Sequence, residues 1–125
     1  MKGTVKINNA AKEFYTPEGC YITELSNSAG DPDVSIARAR VEPGVTTRRH
    51  RLAGTAERYC ILSGQGRVEV GELAPRQVGP GDVVIIPPML AQRIANIGSE
   101  DLIFLAICSP RFSSGAYEDI DTKPA

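Results

Sequence analysis

Short apolar or alternating runs rich in β-branched residues recur along the whole chain, each closed by glycine, proline, asparagine or aspartate. That punctuation restricts the chain to an all-β architecture, because strands this short bury an apolar face only by pairing into sheets that pack on one another. No stretch carries the period of a long amphipathic helix. Strands are expected at Thr4 to Ile7, Cys20 to Leu25, Val34 to Val41, Arg49 to Leu52, Glu57 to Leu62, Gly66 to Val70, Asp82 to Ile86, Gln92 to Ile97 and Leu102 to Cys108. Ser63-Gly64-Gln65-Gly66 reads as a tight hairpin turn, since its glycines take positive φ without penalty. Val78-Gly79-Pro80-Gly81-Asp82 reads as a second turn, and Pro87-Pro88 ends the strand after it because proline donates nothing to a ladder. From about Ser109 a tail carries Phe112 and Tyr117, expected on the outer face of a sheet, followed beyond Asp119 by a polar end expected to fray. Two sheets facing across a filled or hollow interior, a jelly roll, suit this pattern.

At 125 residues the chain is read as one domain, 1–125, long enough to bury about two-thirds of the surface its unfolded form exposes. Fourteen basic against fifteen acidic residues leave a net charge of −1, with no basic run, so nucleic acid is not expected as a partner. Cys20, Cys60 and Cys108 are odd in number and show no Cys-x-x-Cys spacing, which argues against a disulfide framework and for reduced thiols. No apolar leader follows Met1 and no window reaches the length of a membrane span, so the expectation is a cytoplasmic protein without a membrane partner.

The chain has one histidine, His50, inside Gly44-Val-Thr-Thr-Arg-Arg-His50-Arg-Leu52-Ala-Gly-Thr-Ala-Glu57-Arg-Tyr-Cys-Ile-Leu-Ser-Gly64. A second block follows, Gly81-Asp-Val-Val-Ile-Ile-Pro87-Pro-Met-Leu-Ala-Gln92-Arg-Ile-Ala-Asn96. Together, 44–64 and 81–96 resemble the paired signature of the cupin superfamily. In its full form the first block is Gly, five residues, His-x-His, three or four residues, Glu, six residues, Gly. The second is Gly, five residues, Pro-x-Gly, two residues, His, three residues, Asn. Every spacing is met, but Leu52 stands at the second histidine, Met89 at the glycine and Gln92 at the third histidine. The resemblance implies a cupin double-stranded β-helix in a single domain, and a homodimer.

It also implies where chemistry sits. The family's ligand positions carry over to His50, Glu57 and Gln92, while Leu52 coordinates nothing. One imidazole nitrogen, one carboxylate and one amide oxygen make a harder set than usual, suited to Mn or Mg more than to Zn or Ni, although Fe, Ni and Zn are not separated from these by sequence. Iron-dependent oxygenation, which takes two histidines and a carboxylate, is disfavoured. A second reading has no cofactor: His50 serves as general base beside Glu57, with Tyr59 as the acid if it shares Glu57's face. A third is a hydrogen-bonded polar cluster with no chemistry. Strand alternation turns Thr46, Arg48, His50 and Leu52 to one face, so Arg48, with Gln92, is a candidate substrate-binding residue. The functional expectation is a small polar ligand, carbohydrate or carboxylate, handled by isomerase, epimerase or lyase chemistry; the alternative is a non-catalytic binding or sensing cupin.

Overall fold

A computed structural model describes residues 1–124. Eleven strands form two antiparallel sheets. The first has the order β1 (Phe14–Tyr15), β2 (Tyr21–Ser26), β3 (Ser35–Val41), β10 (Leu102–Ser109), β5 (Ala56–Ser63), β8 (Val83–Ile86). The second has the order β11 (Tyr117–Asp119), β4 (His50–Leu52), β9 (Gln92–Asn96), β6 (Gly66–Val70), β7 (Arg76–Val78). The two sheets face each other as the jelly-roll reading requires. Among the described residues no helix is long and apolar enough to cross a membrane.

Side-chain alternation gives the interior a polarity gradient along its axis. On β5 the inward residues run Glu57, Tyr59, Ile61, and on β10 they run Cys108, Phe104, Leu102. Ile61, Ile94, Leu102 and Val41 fill one end with hydrocarbon. At the other end the register pairs Ala37 with Ala106 and Ser35 with Cys108, and these small side chains leave space between the sheets. Asn96 clamps the closed end: its Nδ2 donates to the Val41 and Glu100 carbonyls at 2.8 Å each, and its Oδ1 accepts from Gly98 N. Burial of the apolar set contributes about 1.5–3 kcal/mol per large side chain, so the filled end holds the sheets while the small-residue end stays open.

Several expectations need correction. Thr4 to Ile7 forms no strand; Val5 and Ile7 are exposed, because the sheet edge is taken by the two-residue β1 instead. Ser63 to Gly66 is not a hairpin, since β5 and β6 lie in different sheets and the turn carries the chain across the interior. Gly64 is required there: it sits at φ +88, and a Cβ would lie 2.7 Å from the Asp101 carbonyl oxygen. Three short strands, β1, β7 and β11, have no counterpart among the expected ones. The expected fraying beyond Asp119 is not what residues 119–124 show: Arg48 holds Asp119 and the carbonyls of Lys123 and Pro124, and the Asp121 carboxylate accepts from Arg49 N. Pro87-Pro88 does close β8 at Ile86. Next to it, Met89 adopts φ +68, the left-handed conformation for which the family pattern has glycine.

Candidate active site

The open end of the barrel encloses a cavity of about 340 Å³. His50 reaches it from β4, where it is the register partner of Gln92 on β9. Its Nδ1 lies 2.8 Å from the Arg48 carbonyl oxygen. A carbonyl only accepts, so Nδ1 carries the proton and Nε2 is the atom left for chemistry. Nε2 meets a carboxylate, but that of Glu18, with Oε1 at 3.6 Å, and not that of Glu57.

Glu18 comes from the turn between β1 and β2. Thr16 N bonds the Cys20 carbonyl, Gly19 N bonds the Thr16 carbonyl, and Gly19 takes φ +100. The Glu18 carbonyl then accepts from Arg48 N at 2.8 Å, which docks this turn beside the segment leading into β4. Burial holds the Glu18 carboxyl above its ordinary range, against the pull of His50 and of a Cys20 thiol donating to it at 3.6 Å. Nothing in Thr16-Pro17-Glu18-Gly19 beyond a turn signal marks Glu18, and sequence reasoning missed it.

Glu57 faces the same space from β5. Its Oε2 accepts from the Cys108 thiol at 3.8 Å, and its Oε1 is buried without a partner. Burial first, then the nearby Glu18 charge, push its pKa up to about 8, while Gln92 and Cys108 favour the ionised form. Burial likewise pushes the Cys108 thiol up to about 12, so neither group is a standing anion at neutral pH. The cavity walls are apolar, among them Phe14, Ile22, Leu52 and Phe112, with Glu24 near the mouth.

Tyr59 shares Glu57's inward face but has its hydroxyl engaged, and Arg48 lies elsewhere than expected. Tyr59 is buried with its ring 4.5 Å from that of Phe104, and its hydroxyl donates to Gln92 Oε1. It lies outside the cavity lining, and burial with the neighbouring carboxyls holds its proton far above the ordinary phenol range. The parity that placed Arg48 inside fails because β4 begins only at His50: Thr47 is buried, Thr46 is exposed, and Arg48 turns out to Asp119 at 2.6 Å. A tyrosine does reach the site, from the segment read as an outer tail. Tyr117 on β11 stacks on His50 with ring centroids 4.9 Å apart, and its hydroxyl is buried without a partner.

The metal ligand set does not assemble. Among the described residues no three His, Cys, Asp or Glu side chains converge where they could share an ion. Gln92 presents its carbonyl to Tyr59, so only its Nε2 is left over, unpartnered and unable to ligate. Turning the amide over would leave the Tyr59 proton without an acceptor in a buried place. Leu52 fills the remaining ligand position with hydrocarbon. The residues present therefore fit a polar acid–base cluster and not a resident metal ion.

The sequence profile described as "Cupin domain" matches residues 37–108. The chain belongs to the cupin family. Cupins often bind a metal, which makes this member's donor set a departure from a common family habit. An uncharacterised protein of Methanocaldococcus jannaschii is 33% identical over 104 residues, 82% of each chain. Glucose-6-phosphate isomerase of Thermococcus kodakarensis is 40% identical over 112 residues, and this cupin spans 58% of its length. Among solved structures, KdgF from Halomonas sp. superposes with a TM-score of 0.78 at 18% identity, covering 91% of this chain and 99% of that one, a likeness of fold alone.

Proposed function

We propose that this cupin is an enzyme that moves protons on a small polar molecule held in the barrel, catalysing isomerisation, epimerisation or elimination without oxygen chemistry. The observation that carries this reading is one imidazole nitrogen, His50 Nε2, facing the buried carboxyl Glu18, with a second buried carboxyl, Glu57, in the same small cavity. Two titratable groups with separated environments are what acid–base catalysis needs. His50 takes a proton at Nε2, and the Glu18 carboxylate stabilises the imidazolium that forms. Glu57, protonated up to about pH 8, is the group able to return a proton through its carboxyl. Gln92, held by Tyr59, lies outside the cavity lining and does not meet the substrate. No role falls to Tyr59 as acid or to Arg48 as substrate ligand.

Proton exchange tests this even while the substrate is unidentified. Aldoses, ketoses and nucleosides incubated with the protein in heavy water are expected to include one that gains deuterium at carbon, and His50→Gln is expected to abolish that gain. Exchange that survives His50→Gln, or that stops on adding a chelator, would sink the side-chain mechanism. A molecule that stabilises the fold but never exchanges would instead favour a binding or sensing role.

The homodimer also stands as a proposal. Val83 and Ile85 project from the free edge strand β8, exposed by 59% and 67%, on the outer face that β10 continues with Leu105 and Ile107. A second copy packed there would cover an apolar edge that otherwise invites association. Sedimentation velocity should give a dimer at micromolar concentration that Ile85→Lys splits; a monomeric native protein removes the proposal.

A further inference from the structure

The cavity carries a charge signature that its relatives' chemistry does not suggest. Three carboxyl side chains line it, Glu18, Glu24 and Glu57, and His50 is the only lining residue able to be cationic. No lysine or arginine contributes to the wall. The arginines flanking His50 in sequence are engaged outside: Arg48 on Asp119 at 2.6 Å, Arg51 on Glu118 at 2.6 Å, and Arg49 on Glu69 at 2.9 Å. To reach an anion in the cavity, Arg48 would have to abandon Asp119 and the two C-terminal carbonyls that it holds.

An anion entering such a space loses its hydration with no lysine or arginine to replace the water, and it disfavours the ionised form of every carboxyl in the wall. His50 Nε2, the one candidate counter-charge, already faces Glu18. For a neutral hydroxylated molecule the same wall is well furnished. Glu57 Oε1 and the Tyr117 hydroxyl are buried polar atoms without partners, and both belong to lining residues. An unpaired buried polar atom is costly, and a ligand hydroxyl would satisfy either one. Phe14, Phe112, Ile22 and Leu52 offer an apolar surface for the face of a small ring.

We infer that the cavity rejects anions and takes an uncharged hydroxylated molecule with an apolar face, bound through Glu57 and Tyr117, and that an amine in place of a hydroxyl strengthens binding. This narrows the proposed function, on whose cavity it rests, to substrates lacking phosphate or carboxylate. The isomerase relative is named for a phosphorylated sugar, and this cavity's wall has no lysine or arginine to hold that phosphate. The carboxyls of Glu18, Glu24 and Glu57 all stand above their ordinary range chiefly through burial, a condition that an anionic ligand would worsen and an ammonium would relieve.

Cys108, a buried thiol in the cavity wall, reports the field directly. The protein is treated with methyl, aminoethyl and sulfonatoethyl methanethiosulfonate, modification of Cys108 is followed by peptide mass, and each rate is divided by that reagent's rate with free 2-mercaptoethanol. The normalised rate of the aminoethyl reagent is expected to exceed that of the sulfonatoethyl reagent by about tenfold or more, as for any cleft of one sign. The Glu18→Gln/Glu24→Gln variant should bring the two rates close together. In parallel, glucose 6-phosphate at millimolar concentration should leave the thermal midpoint unchanged. A sulfonatoethyl rate equal to or above the aminoethyl rate overturns the inference, as does stabilisation by glucose 6-phosphate. The thiolate is the reacting form, so the methyl reagent is also tried at pH 10, where more of it is present; if it fails to reach Cys108 there while it labels the half-buried Cys60, the inference falls together with the cavity as a ligand site. A charge ranking that holds while no molecule exchanges protons supports the inference and removes only the catalytic reading.

Discussion

Replacing Glu57 with glutamine is expected to flatten the pH dependence of stability and to leave the variant more stable than the native protein above pH 8. In the folded chain the Glu57 carboxyl keeps its proton up to about 8, whereas its ordinary value is 4.5. Between those two values the folded state binds a proton that the unfolded state has lost. Stability is therefore greatest below the lower value, falls as pH rises through the window, and levels off above the upper one. One group contributes a slope of up to about 1.4 kcal/mol per pH unit, so the loss across the window is on the order of 3–5 kcal/mol. The groups facing Glu57 are Glu18 from the β1–β2 turn, His50 on β4, Gln92 on β9 and Cys108 on β10. Glu18 is itself raised by burial, so a residual slope of the same sign remains in the variant. Glutamine matches the protonated carboxyl in size and brings no charge to be desolvated. Urea unfolding at pH 5, 6.5 and 8.5 reads the effect; a variant as steep as the native protein would mean that Glu57 titrates like a carboxyl in water. The same substitution is expected to stop proton exchange, so stability and activity move in opposite directions at this residue.

The barrel is legible in the sequence because its signals are local. Gly64, Gly81 and Pro87 stand at turns or strand ends where backbone geometry demands them, and the run between two such marks is a strand almost by default. The inward alternation on β5 and β9 is equally local, and it turns Glu57 and Gln92 to the interior. What the sequence does not carry is anything that depends on distant segments meeting. Glu18 stands beside His50 because the Glu18 carbonyl accepts from Arg48 N, a contact between segments that carry no shared pattern. Tyr117 stacks on His50 because β11, only three residues long, pairs with β4 after the chain has turned back from β10. A tail with two aromatics gives no sign of which sheet edge it will join. Arg48 departs from expectation for another reason: it precedes the start of β4, and an irregular segment does not keep strand parity. Tyr59 does point inward on Glu57's face, yet its hydroxyl is spent on Gln92, and the competition among polar atoms for partners is invisible until their positions are known.

Those corrections bear on metal affinity, and the double variant Leu52→His/Gln92→His is expected to gain a bound ion. Leu52 is two residues beyond His50 on β4, is buried, and lines the cavity, so an imidazole there would share the space of His50. Gln92 is the register partner of His50 across β4 and β9 and lies beside Glu57, so an imidazole at that position would enter the same cluster. With the His50 Nε2 and Glu57 carboxyl already present, the variant would offer three nitrogens and one oxygen, a set that suits Zn, Ni or Co and no longer depends on an amide. The change is not free of cost. Tyr59 loses the acceptor of its buried hydroxyl, worth about 1–3 kcal/mol when left unsatisfied. His50 must also turn its nitrogen from Glu18 toward the ion. After dialysis against zinc and then buffer, the native protein is expected to retain well under one equivalent and the double variant about one, as a closed set of four donors does. Elemental analysis measures the content, and a thermal midpoint that rises with zinc only in the variant confirms that the ion binds the folded state. Each single variant should fall between, because either imidazole alone leaves the other position closed by hydrocarbon or by an amide whose oxygen is taken. Native protein that holds a full equivalent through the same dialysis would mean that Gln92 can release Tyr59 to ligate, and the acid–base assignment of Glu57 would fall with it.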